Sequence, residues 1–356
     1  MKISFRHGWA MLSAAVLSLT ALPLSAVSSV TSLSAAAAAA PVVENLDRGI
    51  VAIKSGNGML VSWRFLASDP TGTEFRLYRD DQLLMTSKGD EATCFYDESG
   101  SAASRYRVDS LVNGTVQTTS TCSLISGTDY FQIPMDVPTA SDCTYSPNDC
   151  SVGDVDGDGV YELFVKWDPS NSKDNSQKGK TGNVYIDCYK LTGEKLWRID
   201  MGKNIRAGAH YTQFLVADFD GDGYAEMTCK TADGTVDGTG KTIGDGSKDY
   251  RNSSGYILSG PEYYTLFDGR TGAALDTVNY VPDRGTVSKW GDKYGNRVDR
   301  FLGSVAYLDG VHPSAVTIRG YYTRMTATAY DVVDKKLVQR WRKSSFYSGG
   351  GRIFQN

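Results

Sequence analysis

The sequence predicts an all-β protein: a small N-terminal β-sandwich followed by a β-propeller with calcium loops in its turns. Short strand-like runs bounded by Gly, Pro, Asn and Asp fill the chain from Val42 onward, and no stretch reads as a convincing amphipathic helix. A hairpin unit also recurs in the second half, as "VYIDCYKLTGEKLWRID", "YYTLFDGRTGAALDTVN" and "ATAYDVVDKKLVQRWRK". Strand, turn and return strand repeated in this way mark the blades of a propeller. At 356 residues the chain exceeds one typical domain. A net charge of −4, with no basic run of five or more, argues against a nucleic-acid partner.

Residues 1–40 are a different material. Lys2, Arg6 and His7 precede an apolar run from Trp9 to about Leu24, and a Ser/Ala tract ends at Ala35 to Ala40. This is the charged, apolar and small-residue order of a secretory signal, and Ser13, Ser18 and Pro23 interrupt it too often for a membrane anchor. No other stretch approaches ~18 apolar residues, so the processed chain is expected to be secreted, soluble and free of membrane. Export would allow disulfides. Among fifteen possible pairings of six cysteines, Cys94 with Cys122 and Cys143 with Cys150 are the candidates, while Cys188 and Cys229 sit in strand-like runs as buried thiols.

From 41 to 125 the runs "GIVAIKSG", "MLVSWRFLAS", "EFRLYRDDQLL" and "SRYRVDSLVNG" alternate and are separated by "KSGNG", "DPTG" and "LVNGT". That pattern predicts a small antiparallel sandwich similar to a fibronectin type III module. A Pro/Ser/Thr-rich linker, "IPMDVPTASDCTYSPND", leads into the propeller region, 126–356.

There the string "DVDGDGVYE" places Asp154, Asp156, Asp158 and Glu162 at positions 1, 3, 5 and 9 of a turn. A second copy supplies Asp218, Asp220, Asp222 and Glu226. Gly159 and Gly223 permit the bend at position 6, and the carbonyls of Val160 and Tyr224 can serve at position 7. Carboxylates and a carbonyl give the six to eight hard oxygens that Ca²⁺ takes. Without a cation the acids would repel one another. The flanks read as strands and the last acid falls at 9, unlike an EF-hand. A lone copy would read as a solvated Asp/Gly turn; two copies with the same four acids predict calcium. The run "TADGTVDGTGKTIGDGSKD" reads as a plain loop, and "YLDGVHPSAVTIRG" as a third such turn that keeps only Asp309 and Gly310.

The strings "KWDPSNSKDNSQKGKTGN", "CKTADGTVDGTGKTIGD", "LSGPEYYTLFDG", "WGDKYGNRVDRFL" and "RGYYTR" resemble the bacterial rhamnogalacturonan lyases of polysaccharide lyase family 11. The resemblance runs from about "ENLDRGIVAIKSG" to Trp341. It implies a secreted, monomeric enzyme with an eight-bladed calcium-carrying propeller, cutting the rhamnose–galacturonate backbone of pectin by β-elimination. It also implies substrate contacts from Asn148 in "SPNDCS" and Asp168 in "KWDPS".

β-Elimination takes the proton α to a uronate carboxylate, so it needs a base and a cationic group for the developing charge. Lys166, Arg206, His210, Arg319 and Arg324 are the candidates, each with a bland reading as a surface or packing residue. Members of the family continue for further blades beyond "LVQRWRK", so this length of chain is expected to form an incomplete ring with little turnover of its own. The rival expectations are a calcium-stabilised carbohydrate-binding or adhesion module, and a purely structural surface protein. Export predicts a processed chain beginning near Pro41, and N-terminal sequencing of protein recovered from the medium checks it; an intact Met1 would refute cleavage.

Overall fold

In the computed structural model, residues 41–345 are described; the secretory segment expected at 1–40 lies outside them. Eight strands come first: β1 (Val51–Ser55), β2 (Gly58–Ser62), β3 (Glu74–Arg79), β4 (Gln82–Lys88), β5 (Cys94–Asp97), β6 (Tyr106–Val112), β7 (Thr115–Thr121) and β8 (Leu124–Ser126). They make two four-stranded sheets, ordered β5-β2-β1-β8 and β4-β3-β6-β7. The alternation in sequence is the cause. On β3, Phe75 and Leu77 point inward and are fully buried, and they meet Ala52, Met59, Val61 and Val108 in one core. Asp80 and Asp81 both hold φ > 0 between the paired Arg79 and Gln82, the backbone that a two-residue hairpin needs. The expected sandwich is present.

The following strands are β9 (Tyr145–Gly153), β10 (Glu162–Pro169), β11 (Tyr185–Tyr189), β12 (Lys195–Asp200), β13 (Phe214–Ala217), β14 (Glu226–Ala232), β15 (Thr235–Val236), β16 (Thr242–Ile243), β17 (Glu262–Asp268), β18 (Ala274–Asn279), β19 (Phe301–Ala306), β20 (Ser314–Arg319), β21 (Met325–Val333) and β22 (Lys336–Ser345). They form three antiparallel sheets, β9-β10-β11-β12, β13-β14-β17-β18 and β19-β20-β21-β22. The short β15–β16 hairpin extends the first through a pairing of Asp200 with Val236. The single helical turn among the described residues is the 3₁₀ segment Val287–Trp290.

Successive sheets pack face to face. Phe164, Ile186 and Trp197 of the first meet Met227, Cys229 and Phe267 of the second. Tyr264 and Leu266 of the second meet Ala315, Tyr330 and Leu337 of the third. The Trp197 indole reaches across to donate to the Gly269 carbonyl at 2.7 Å.

A buried ionic cluster joins the second and third sheets. The Glu262 carboxylate accepts from Arg319 at 2.7 and 3.0 Å and from Arg284 at 2.8 Å, with the Lys230 ammonium at 3.2 Å. Asp299 takes a further Arg319 contact at 3.3 Å. The Arg319 guanidinium lies over the rings of Tyr280, Trp290 and Phe301 at 5.3–5.6 Å. Burial alone would raise the Glu262 carboxyl, but the Arg319, Lys230 and Arg284 charges outweigh it and hold it far below the usual range.

The disulfides expected at Cys94–Cys122 and Cys143–Cys150 are not formed; all six cysteines are free thiols. Cys94 lies on β5, and β2 separates it from β1, just before which the Cys122 thiol contacts the Ile50 carbonyl at 3.3 Å. The extended run of β9 places Cys150 roughly 16 Å from Tyr145 at ~3.3 Å per residue, and Cys143 precedes that run, so the two thiols are beyond disulfide reach.

Truncating Arg319 to Ala should destabilise the fold by about 3–5 kcal/mol, because it leaves buried carboxylates short of a partner. Urea unfolding checks this. The sign with pH follows from the depressed Glu262 carboxyl: its stabilisation is complete above the unfolded value near 4 and is lost as pH falls below it.

Candidate functional site

The two acidic turns have the same geometry. In each, the first aspartate spreads its two oxygens over amides three and five residues on. Asp154 accepts from Gly157 at 2.7 Å and Gly159 at 2.8 Å; Asp218 accepts from Gly221 at 2.8 Å and Gly223 at 3.0 Å. The closing glutamate returns to the amide after that aspartate, Glu162 to Val155 at 3.0 Å and Glu226 to Phe219 at 2.9 Å. All four glycines hold φ between +77° and +90°, where a side chain is strained. Oxygens of Asp218, Asp220, Asp222 and Glu226 converge within 4.8 Å, and so do those of Asp154, Asp156 and Glu162.

Asp158 stands outside the first convergence. It is exposed, and its Oδ1 accepts the Val160 amide at 2.8 Å. The Tyr224 amide is held likewise by Asp222 at 3.1 Å.

The donor set fits a hard divalent cation. Burial, then the nearby Asp156 and Asp158, push the Glu162 carboxyl up to about 7. Burial, then Asp220, push Glu226 up to about 9. Each set draws a single ammonium, Lys190 at 2.6 Å from Asp156 and Lys335 at 3.4 Å from Asp222. One ammonium cannot satisfy so many oxygens, whereas Ca²⁺ can. The looser acids are spoken for within the fold: Asp233 accepts Tyr250 and Tyr263 hydroxyls, and Asp237 accepts the Thr239, Lys241 and Ala274 amides.

A segment from Val42 to Asp47 lies across the connections of all three sheets. Glu44 accepts the Asp154 amide at 2.9 Å, and the Asp47 amide donates to the Gly159 carbonyl at 2.9 Å. Val42 approaches Gly221 and donates to Val311 at 2.7 Å.

Asn148 and Asp168 lie at the other end. Glu162 pairs with Gly153 and Asp168 with Ser146, so six strand positions, roughly 20 Å at ~3.3 Å each, separate Asp168 from the acidic turn. The two acidic turns therefore lie apart from these residues along the strand. The β9–β10 register slips between Val165 and Trp167, a bulge that sets Asn148 and Asp149 opposite Lys166. The buried Lys166 ammonium donates to the exposed Asp149 carboxylate and to the Thr212 carbonyl at 3.4 Å. Asn148 is exposed, and the half-buried Asp168 accepts the Ser172 hydroxyl at 2.7 Å. Asp149 was hidden from sequence reasoning: its neighbour Asn148 is visible in "SPNDCS", but the partnership with Lys166 is not.

The other candidates divide. Arg206 donates to the carbonyls of Lys173, Gln177, Gly179 and Gly255, so its guanidinium is a staple for main chain. Arg319 is sealed in the Glu262 cluster. His210 is half-buried and meets Tyr321 edge-on at 6.4 Å. Arg324 stacks on Trp290 at 4.4 Å.

Residues 130–353 match the family model described as rhamnogalacturonan lyase family 11, C-terminal domain, and 41–124 match that of the rhamnogalacturonan I lyase beta-sheet domain. The chain is 55% identical over 317 residues to rhamnogalacturonan endolyase YesW of Bacillus subtilis (strain 168), covering 87% of this chain and 51% of YesW. Identity to rhamnogalacturonan exolyase YesX of the same organism is 52% over 305 residues, 84% of this chain and 50% of YesX. The crystal structure of YesW superposes with a TM-score of 0.79 over 87% of this chain and 54% of that one. A Bacillus licheniformis rhamnogalacturonan lyase gives 0.76 at 52% identity over the same shares. The chain spans about half the length of the curated relatives it matches.

Calcium removal should be visible in the melting curve. Because the Glu162 and Glu226 carboxyls are raised in the metal-free fold, their contribution is intact near pH 4 and lost as pH climbs through about 7 and about 9. Bound cation stabilises by mass action. The gap between calcium-loaded and EGTA-treated melting temperatures is therefore expected to be wider at pH 8 than at pH 5.5, and Asp220→Asn to close part of it. Coincident curves at pH 8 would remove calcium from these turns.

Proposed function

The chain belongs to rhamnogalacturonan lyase family 11, and on that premise we propose that it carries the substrate face of a secreted lyase that cuts the rhamnose–galacturonate backbone of pectin by β-elimination. The observation that supports this most directly is the family match over 130–353, a span that includes the bulged β9–β10 pair. In the proposed reading Asn148 and Asp168 bind sugar, and the bulge holds them in register. Lys166 neutralises Asp149 beneath them, keeping the strand pair rigid where the polymer lies. Of the candidates for charge stabilisation, Arg206, Arg319 and Lys166 are committed to partners inside the fold, whereas His210 and Arg324 are half-buried.

Calcium in this reading is structural. It would be held by Asp154, Asp156 and Glu162, and by Asp218, Asp220, Asp222 and Glu226, and would supply charge compensation to the turns. The three stacked sheets are blades of an eight-bladed propeller, the 41–125 module is similar to fibronectin type III, and the protein works outside the cell as a monomer. A carbohydrate-binding module without turnover is the second reading, favoured by the exposed rings of Tyr294 and Tyr322.

Incubation with rhamnogalacturonan I should give binding and a slow rise in ultraviolet absorbance from unsaturated uronate, in keeping with the expectation of little turnover by this length of chain. Asn148→Ala and Asp168→Ala should each lower kcat/KM by roughly 10²-fold, the scale of a lost positioning contact. Binding without unsaturated product would favour the module; neither binding nor product would sink both.

A further inference from the structure

The loop Asp292–Arg300 repeats the hydrogen-bonding geometry of the acidic turns without their acids. Asp292 accepts the amides of Gly295 at 2.8 Å and Arg297 at 2.7 Å, again three and five residues on. The ninth position, glutamate in the other two turns, is Arg300. Its guanidinium donates to the Asn296 carbonyl at 3.1 Å, to Asn296 Oδ1 at 2.8 Å and to Asp174 Oδ2 at 3.0 Å. The turn thus carries its own cation and is rigid without metal.

What this rigid turn presents is Arg297. The half-buried Arg297 guanidinium rests 5.8 Å from the ring centre of Tyr322, and among the described residues no carboxylate is in ion-pair contact with it. Tyr322 is 53% exposed and is backed by Tyr321 at 5.0 Å and by Arg300 at 5.7 Å. A short chain of contacts leads from here to the substrate residues: Arg300 binds Asp174, in the same loop as Ser172, which binds Asp168. A guanidinium beside an exposed aromatic ring suits a ligand with a carboxylate and an apolar sugar face.

We propose that Arg297 and Tyr322 form a subsite for a galacturonate residue of the polymer, with the carboxylate on Arg297 and the ring on Tyr322; this rests on the lyase reading above. The subsite is preorganised by Asp292 and Arg300, so little conformational freedom is lost when it fills.

Affinity electrophoresis of the full chain through gels containing rhamnogalacturonan I tests binding apart from turnover. Arg297→Gln should weaken binding on the order of 10- to 100-fold, as for a lost charge-assisted contact, and Tyr322→Ala several-fold, with melting temperatures unchanged. Arg105→Gln, an exposed arginine of the sandwich, removes the same charge elsewhere and should bind as wild type. Carboxyl-reduced polymer should bind wild type as weakly as native polymer binds Arg297→Gln. Unaltered binding by Arg297→Gln, or an equal loss in Arg105→Gln, overturns the subsite while leaving the lyase reading standing. A wild-type chain that ignores the polymer overturns both.

Discussion

Carboxylates crowded at one end of two neighbouring β-sheets set the terms for the rest of the molecule. Asp154 and Asp218 are buried, and each is held by two amides, while their partner acids converge within 4.8 Å. So much negative charge is tolerated only beside a compensating cation. The chain also segregates its charges. Its acidic turns occupy one end of the sheets, and Lys166, Arg206, Arg297 and Arg300 gather at the other, beside Asn148 and Asp168. A modest net charge of −4 conceals this polarity. An end lined with guanidinium and tyrosine is electrostatically distinct from the acidic one.

Between the two ends the sheets are held by different means. The first and second share an apolar core around Phe164, Trp197 and Phe267. The second and third add the cluster of Glu262, Arg284, Arg319, Asp299 and Lys230, sealed by aromatic rings. Such a cluster is geometrically demanding, since every charge must find its partner, and it fixes how the sheets meet at the end where Arg284, Asp299 and Arg319 approach the candidate face. Two of the five candidates for charge stabilisation are spent on architecture, Arg319 in this cluster and Arg206 on loop carbonyls.

What was legible in the sequence was what acts locally. The acidic turns close within nine residues, so spacing alone showed which acids converge, Asp158 excepted, and the alternation of Phe75 and Leu77 exposed the sandwich strands. The disulfide candidates misled because sequence distance says nothing of strand direction: β9 carries Cys143 and Cys150 apart. Asp149 escaped notice because its partner lies 17 residues away, and the fate of Arg319 because Glu262 lies 57 away. Arg297 is a further case. Its loop reads as an ordinary polar string until Asp292 is seen to grip the amides at 295 and 297. The acidic turns and this loop share the grip of a first aspartate on the amides three and five residues on. They part at position six, a glycine with φ > 0 in the turns and Arg297 in the loop, and at positions three, five and nine, where the loop lacks the acids.

The segment from Val42 to Asp47 has a kinetic meaning. The Tyr307 hydroxyl that holds the Val42 carbonyl is 265 residues away along the chain, and closing so long a loop costs on the order of 5 kcal/mol in chain entropy. That contact cannot precede the sheets it spans; it settles once the turns at 154–162, 218–226 and 307–313 already lie side by side. Contacts of such high order are slow to form. A segment joined late and by few bonds is also the natural place for the fold to begin opening, so the sandwich is tethered to the later sheets by the part of the structure that assembles last.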